Sequence, residues 1–248
     1  MERKVMVEVN NVSKIYNDTN RIEHISFEIY EGECFALCGG NGAGKSTVIQ
    51  MIIGNIKPTS GMIKINGKTL NENKELYKSL FSYMPDAMAF PKVLTGYEVL
   101  SFFADLSNVP KERVEMLLDR VGLLNDKDKK VREYSKGMQQ RLALAQCLLP
   151  EAPVIILDEP TNGLDPYWVR EFKNIIKQEI EKGTTVLFSS HILADVQELA
   201  DRVAFMNKGK LLVTDTIEAL TKAGHANVTL EDVFFRLVKA EKEIEIGA

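Results

Sequence analysis

The sequence predicts an α/β fold with an antiparallel β part near its N-terminus and a helical lobe inserted in its middle. Strand-like apolar runs alternate along the chain with segments of helical periodicity, which favours an α/β fold over segregated classes. The run Val154–Leu157 has no polar alternation, as is typical of a strand buried in a parallel sheet. The segment 90–150, by contrast, shows only helical patterns.

Length and composition limit the classes of protein that fit. The 248 residues are 45% apolar and 27% charged, with a net charge of −4, an average soluble mixture that gives no reason to expect nucleic acid binding. No apolar stretch approaches the ~18–20 residues of a membrane span, and the start lacks the long apolar region of a signal peptide. Any membrane role is therefore expected to be peripheral.

The three cysteines are Cys34, Cys38 and Cys147. Cys34 and Cys38 fall on one face of a strand, and a metal site would need two further ligands that no nearby Cys or His offers. We expect buried thiols and a reducing, cytoplasmic compartment.

The N-terminal part contains three strand-like segments, then a glycine-rich turn and a helix. The helix over Val48–Ile53 is stopped by Gly54, and Asn66-Gly67 is a strong hairpin signal that places an antiparallel piece here. The strands are Val5–Val9, Ile25–Ile29 and Glu33–Leu37.

Two helices are predicted in the middle of the chain. Thr95 and Glu98 form a capping box ahead of the first helix, and the second carries apolar residues at Val114, Leu117, Leu118 and Val121. The charged segment 125–130 is expected to be a solvated loop.

The last third returns to strands and helices. Asp165 caps a helix that ends near Gly183, a buried strand follows over Thr184–Phe188, and Thr229 caps a C-terminal amphipathic helix. The predicted organisation is one domain: an α/β core with an antiparallel part (1–89 and 151–215), a helical subdomain (90–150) and a C-terminal helical extension (216–248).

The segment 39–46, with the sequence GGNGAGKS, fits G-x-x-x-x-G-K-[ST] between a predicted strand and a predicted helix. Glycines let consecutive N–H groups and the helix N-terminus face phosphate oxygens. Lys45 supplies a charge for the outer phosphates, and the Ser46 hydroxyl is a ligand for Mg²⁺. The pattern predicts a nucleotide phosphate site.

Three further polar residues follow buried strands. Asp158 and Glu159 end one strand, and His191 follows another, so all three are expected at the carboxyl edge of the sheet, where ligands bind. Asp158 suits a Mg²⁺ contact, Glu159 suits activation of the attacking water, and His191 can reach the γ-phosphate region.

The segment 134–145, with the sequence YSKGMQQRLALA, decides between families that share the phosphate loop. In its sequence and its place along the chain, this segment resembles the signature motif of ATP-binding cassette (ABC) proteins, which is usually Leu-Ser-Gly-Gly-Gln. The resemblance covers nearly the whole chain in the right order, and the sequence is identified as that of an ABC ATPase subunit with a P-loop NTPase core.

The resemblance implies roles for particular residues. Tyr16 matches the aromatic residue that stacks on adenine, Ser135 and Gly137 belong to the signature, and Gly163, Leu164 and Asp165 match the loop that links subunits. Glu159, His191 and Lys45 are the expected catalytic residues, and Ser46, Asp86 and Asp158 the expected Mg²⁺ ligands. The phosphate loop that binds ATP comprises Gly39, Gly40, Asn41, Gly42, Ala43, Gly44, Lys45, Ser46 and Thr47.

The resemblance also implies partners. The family works as a head-to-tail dimer, in which the signature of one subunit closes on ATP held by the other, so a second copy or a paralogue is expected. Hydrolysis drives integral membrane permease subunits on other chains, which places this chain peripherally on the cytoplasmic face of the cell membrane.

Three departures from the usual pattern concern the signature, Asp86 and Gly40. In the signature, Tyr134, Lys136 and Met138 stand where Leu, Gly and Gln are common. This signature sequence is similar to that of ABC-2-type exporters. Asp86 stands where the family often has Gln; a carboxylate can still ligate Mg²⁺. Gly40 replaces a common Pro, which loosens the entry to the turn.

Other classes compete with a transporter subunit. The main alternative is a soluble, non-transport ABC ATPase acting on a macromolecular complex, although those of translation control usually carry two cassettes and this chain carries one. DNA-repair members have long coiled-coil inserts that do not fit between Lys45 and Asp158. A small-metabolite kinase with the same phosphate loop would leave the signature segment unexplained.

Overall fold

The computed structural model describes residues 3–17, 21–222 and 228–247. Its strands are β1 Val5–Ile15, β2 Arg21–Tyr30, β3 Cys34–Cys38, β4 Ser60–Ile65, β5 Phe81–Met84, β6 Val154–Leu157, β7 Thr185–Ser190, β8 Arg202–Asn207 and β9 Lys210–Thr216. Its helices are α1 Lys45–Ile52, α2 Lys74–Ser79, α3 Gly96–Leu106, α4 Glu112–Arg120, α5 Lys136–Leu148, α6 Pro166–Glu181, α7 Leu193–Leu199, α8 Ile217–Lys222 and α9 Leu230–Gly247.

The larger sheet has the strand order β5-β6-β7-β3-β8-β9 and is parallel except for the β8–β9 pair. Cys34, Ala36 and Cys38 face the core beneath the helical part, whereas Phe35 and Leu37 face the core beneath the antiparallel sheet. The prediction that Cys34 and Cys38 share one face of a strand is confirmed. The carboxyl ends of β3, β6 and β7 meet at one edge of this sheet.

The smaller sheet is antiparallel, with the order β2-β1-β4. β1 is longer than the predicted Val5–Val9 because irregularities in pairing, one between Val9 and Val12, let it continue past the polar pair Asn10-Asn11. Asn66 and Gly67 form a tight turn with positive φ at both residues. The predicted antiparallel piece is confirmed: β4 pairs with β1, and Lys68 pairs back onto Ile65 across the Asn66-Gly67 turn.

The chain between β5 and β6 forms helices and turns. The predicted capping box of α3 is present, with the Glu98 N–H donating to Thr95 Oγ1 and the Thr95 N–H to Glu98. The apolar residues predicted for the second helix are all buried. The proposed division of the chain at residues 90, 151 and 216 stays a prediction.

The charged segment 125–130 is not wholly solvated, contrary to expectation. Asp126 and Lys127 are half-buried, because the Tyr134 hydroxyl donates to the Asp126 carbonyl at 2.9 Å and Lys127 pairs with Glu115. The ionic pairing and the tyrosine contact fold this segment onto the helices.

The C-terminal helices follow the predicted caps. The Asp165 side chain accepts the Trp168 N–H at 3.0 Å to start α6, and Thr229 and Asp232 bond reciprocally at the start of α9. α9 packs on the large sheet through Phe234, whose ring centroid lies 5.3 Å from that of Phe205. Within residues 3–17, 21–222 and 228–247, no helix has the length and apolar character needed to span a membrane.

Candidate active site

The phosphate loop joins β3 to α1 and lines an open cleft of about 730 Å³ at the carboxyl edge of the large sheet. Gly39 has no room for a side chain, because a Cβ would lie 2.3 Å from the Met206 carbonyl oxygen. Gly44 precedes α1 with φ of 103°, a left-handed conformation that glycine adopts at little cost. These two glycines fix the path of the loop, whose residues Asn41–Thr47 line the cleft.

Lys45 is buried at the base of the cleft and has two kinds of partner. Its Nζ donates to the Gly39 carbonyl at 2.8 Å and lies 3.1 Å from Glu159 Oε1. Because a buried ammonium is costly without a counter-charge, Glu159 balances Lys45 in this arrangement. A phosphate group is also negatively charged and could balance Lys45 in place of Glu159.

Glu159 follows β6 and contacts both Lys45 and His191. Its Oε2 lies 2.7 Å from His191 Nδ1. The backbone of Glu159 has φ of 48°, a left-handed conformation that costs a non-glycine residue roughly 1–2 kcal/mol. The Glu159 N–H donates to Ser189 Oγ at 2.9 Å, which helps to hold this strained residue in place.

Asp158 lies deeper than Glu159 and accepts two hydroxyl hydrogen bonds. Ser189 Oγ donates to Asp158 Oδ1 at 2.6 Å, and Ser46 Oγ donates to the same atom at 3.1 Å. Burial raises the pKa of Asp158, and the two hydroxyl donors partly offset that rise. Ser189 is absent from the residues predicted from the sequence, although its place two residues before His191 is a usable signal.

The oxygen donors expected for Mg²⁺ lie around this cleft. Ser46 and Asp158 are in contact, and Asp86 lines the cleft while accepting the Asn162 Nδ2–H at 2.8 Å. No group of three or more His, Cys, Asp or Glu within the described part of the chain is arranged to hold a metal. Mg²⁺ typically takes one or two carboxylates and completes its shell with water and phosphate oxygens, so this donor set fits it.

The rim of the cleft contains residues that the sequence did not predict. Arg21 and Ile22 of β2 lie there with Lys208 and Gly209, from the turn between β8 and β9. The Gly209 N–H donates to the Ala43 carbonyl and its carbonyl accepts the Glu23 N–H, both at 3.0 Å. This turn therefore ties the phosphate loop to the antiparallel sheet.

Five predicted binding residues lie outside the cleft lining: Gly39, Gly40, Tyr16, Ser135 and Gly137. Tyr16 is half exposed with Lys14 Nζ 5.4 Å from its ring centroid, and residues 18–20, which follow it, lie outside the described part. Ser135 is exposed and caps α5 by accepting the Met138 N–H at 3.2 Å. Their roles toward nucleotide stay predictions.

Comparison with known proteins decides the family. Residues 22–162 match the profile of the family described as "ABC transporter". This chain belongs to the ABC transporter family. The resemblance inferred from the signature segment is thereby confirmed, and so is the predicted fold class.

Individual relatives of this ABC protein agree over most of its length. It is 37% identical to "Uncharacterized ABC transporter ATP-binding protein YhcH" of Bacillus subtilis, over 97% of this chain and 77% of that one. It is 36% identical to "Bacitracin transport ATP-binding protein BcrA" of Enterococcus faecalis, over 90% of this chain and 73% of that one. A solved structure described as "Structure of ATP binding subunit of ABC transporter" has a TM-score of 0.86 and 31% identity, covering 94% of this chain and 99% of that chain.

Proposed function

We propose that this ABC protein hydrolyses ATP with Mg²⁺ in the cleft described above and that the hydrolysis drives a membrane transporter formed with separate permease chains. The observation that carries the proposal is a pair of contacts made by Glu159. Its Oε1 lies 3.1 Å from Lys45 Nζ, and its Oε2 lies 2.7 Å from His191 Nδ1. These contacts bring the cation that we propose to bind phosphate beside a carboxylate and an imidazole at one edge of the sheet.

Lys45 and the phosphate loop bind the triphosphate. The loop N–H groups and the N-terminus of α1 attract phosphate oxygens. When the outer phosphates meet Lys45, they replace Glu159 as its counter-charge. That exchange releases one oxygen of Glu159 from the 3.1 Å ion pair, so nucleotide binding itself prepares the carboxylate for its part in the reaction.

Glu159 then orients the attacking water and accepts its proton. Its second oxygen stays 2.7 Å from His191 Nδ1, which fixes the direction of the carboxylate. Positioning of the water and of the γ-phosphate supplies most of the rate enhancement in phosphoryl transfer. Ser189 supports both acidic residues, because its hydroxyl contacts the Glu159 N–H and the Asp158 carboxylate.

Ser46, Asp158 and Asp86 are the residues that would hold Mg²⁺. The ion supplies positive charge to the phosphate oxygens when it is bound. Before it binds, the hydroxyls of Ser46 and Ser189 keep the Asp158 carboxylate paired in its buried position.

A second subunit completes each ATP site. Ser135 and Gly137 lie outside the cleft of their own chain, and Ser135 is exposed at the N-terminus of the 13-residue helix α5. Such a terminus attracts anions through its unpaired N–H groups. In a head-to-tail dimer it faces the γ-phosphate held by the other subunit, as the resemblance implies.

Export is the direction of transport that we favour, because the signature segment resembles that of ABC-2-type exporters. The relative from Enterococcus faecalis is named for bacitracin transport, which makes a peptide antibiotic the first class of cargo to test. The chain is expected on the cytoplasmic face of the membrane, where ATP is available.

Co-purification tests the proposal. The tagged chain is expressed in its source organism, isolated from detergent-solubilised membranes and assayed for ATP hydrolysis with and without Mg²⁺. We expect an integral membrane protein to co-purify and the complex to require Mg²⁺ for hydrolysis. Recovery of the chain only with a soluble macromolecular complex would contradict the transporter role and favour the non-transport alternative.

A further inference from the structure

Arg141 and Trp168 join α5 to α6 outside the cleft. The guanidinium carbon of Arg141 lies 3.9 Å from the centroid of the Trp168 ring, the geometry of a cation–π contact. Nη1 of the same arginine donates to the carbonyls of Val121 and Gly122 at 2.9 and 3.0 Å. One side chain of α5 thus contacts both α6 and the end of α4.

Gly122 leaves the space that the Trp168 indole fills. A Cβ on Gly122 would lie 2.2 Å from Trp168 Cη2 and 2.4 Å from Cζ2, closer than any real contact. The φ of +64° at this position also favours glycine. The indole is therefore held between the α4 terminus and the Arg141 guanidinium.

The loop between Glu159 and α6 is held by the same part of α5. Gln140 is buried, and its Nε2–H donates to the Pro160 carbonyl at 3.1 Å. At the other end of the loop, the Asp165 side chain accepts the Trp168 N–H. The consecutive residues Gln140 and Arg141 therefore fix both ends of the segment 160–165, which begins directly after the proposed base.

The position of Arg141 carries a free-energy cost that a solvent-exposed arginine would not have. Its Nε is buried and has no hydrogen-bond partner, and burying an unpaired polar group is unfavourable. The carbonyls of Val121 and Gly122 and the Trp168 ring compensate only in part. We take this arrangement as evidence that Arg141 positions its neighbours and does not act only as a charged surface residue.

We propose that Arg141 and Trp168 are positioning residues that make the two ATP sites of the dimer cooperative. The inference rests on the proposed head-to-tail dimer. Ser135 lies at the start of the helix that carries Arg141, so engagement of Ser135 with ATP in the other subunit moves α5 as a unit. The contacts of Gln140 and Arg141 pass that movement to the segment 160–165 and hence to Glu159 in the chain's own site.

Steady-state kinetics test this role. In Arg141→Ala and Trp168→Ala, we expect the affinity of the monomer for a fluorescent ATP analogue to stay within about twofold of the parent value. The value of kcat should fall about tenfold, which corresponds to about 1.4 kcal/mol in the barrier. The Hill coefficient for ATP should fall toward unity. Trp168→Phe retains an aromatic face and should restore most of both quantities.

Arg113 provides a matched control. It also donates to two carbonyls, those of Leu148 and Leu149, but on the far end of α5 and away from the segment 160–165. Arg113→Ala should lose thermal stability as Arg141→Ala does and yet keep the Hill coefficient of the parent. Equal Hill coefficients in the parent, Arg141→Ala and Arg113→Ala would overturn the proposal, as would a parent value of unity.

Hydrogen exchange gives a readout that does not depend on hydrolysis. The backbone amides of residues 161–165 should exchange faster in Arg141→Ala than in the parent, and at the parent rate in Arg113→Ala. Unchanged exchange in Arg141→Ala would refute the positioning role by itself. A parent protein that hydrolyses no ATP would contradict the proposed function instead, so the two failures are distinguishable.

Discussion

The substitution Glu159→Gln removes the proposed base while preserving the size of the side chain. Glu159 is 9% exposed and contacts Lys45 and His191 through different oxygens. Glutamine keeps one oxygen that can accept a hydrogen bond but carries no charge and cannot take up the proton of water. The variant should bind ATP, because Lys45, Ser46 and Asp158 remain, and it should fail to hydrolyse it.

The size of the effect follows from the contacts. Loss of a general base lowers turnover about 10²–10⁴-fold, which corresponds to about 2.7–5.4 kcal/mol in the barrier. Without nucleotide, Lys45 is left buried with no carboxylate, and breaking a buried pair in this way costs about 3–5 kcal/mol. Because glutamine retains one acceptor, we expect a loss of about 3 kcal/mol, or ~6–12 °C in Tm.

Two measurements check this prediction. Size-exclusion chromatography with ATP and Mg²⁺ should show Glu159→Gln as a dimer, since an ATP-bound closed state cannot reset by hydrolysis, and ADP should leave it monomeric. Thermal unfolding should show a lowered Tm without nucleotide and a larger gain on adding ATP than the parent shows, because the phosphates replace the missing carboxylate beside Lys45.

Glu179 offers a matched control for the same chemical change. It is also buried and paired with two cations, Arg120 and Lys182, at a distance from the cleft. Glu179→Gln should lose stability and keep the parent rate of hydrolysis. A monomeric Glu159→Gln protein that turns over ATP at the parent rate would refute the base assignment.

Three further substitutions change Lys45 of the phosphate loop, Asp86, and Ser189, which supports the two acidic residues. Lys45→Ala should lose ATP binding and hydrolysis together, and a folded variant with near-normal turnover would contradict the phosphate-loop assignment; Lys173→Ala, which also removes a mostly buried, ion-paired lysine, is the control. Asp86 follows β5 where the chain passes into the helical part, and we expect it to couple the nucleotide state to the membrane partner. Asp86→Ala should therefore reduce transport in reconstituted vesicles more than it reduces ATP binding, and equal losses would argue against a coupling role. Ser189→Ala removes one of the two hydroxyl donors to Asp158 and leaves the Glu159 N–H without its side-chain partner. It should cost about 1–3 kcal/mol in the free energy of unfolding, measured by denaturant titration, and an unchanged midpoint would contradict this supporting role.

Local signals in the sequence predict much of this site. The spacing of glycines before Lys45 and Ser46 defines a loop whose geometry depends on nearby residues, and the position of Glu159 and His191 after buried strands places them at one edge of a parallel sheet. The helix caps at Thr95, Asp165 and Thr229 are predictable for a similar reason, because each is formed by residues that are close together in the sequence.

The features that escaped prediction depend on contacts between distant parts of the chain. Ser189 acts on Asp158 from a neighbouring strand, and Gly209 reaches the phosphate loop from a turn more than 150 residues further along the chain. The need for glycine at position 122 becomes clear only in the structure, where the Trp168 ring occupies the space that a side chain would need. Likewise the Asn66-Gly67 signal predicts the chain reversal that brings Lys68 back to Ile65, but it does not predict that β4 pairs with the distant strand β1.

We propose that two copies of this chain share each ATP site, and complementation between inactive variants measures that sharing most directly. Ser135→Arg should bind ATP and Lys45→Ala should not, and each alone should be inactive. In a mixed dimer, one of the two composite sites combines the intact Lys45 of the Ser135→Arg subunit with the intact Ser135 of the Lys45→Ala subunit. Mixing the two inactive proteins should therefore restore hydrolysis. Continued inactivity despite demonstrated heterodimer formation would contradict the shared site.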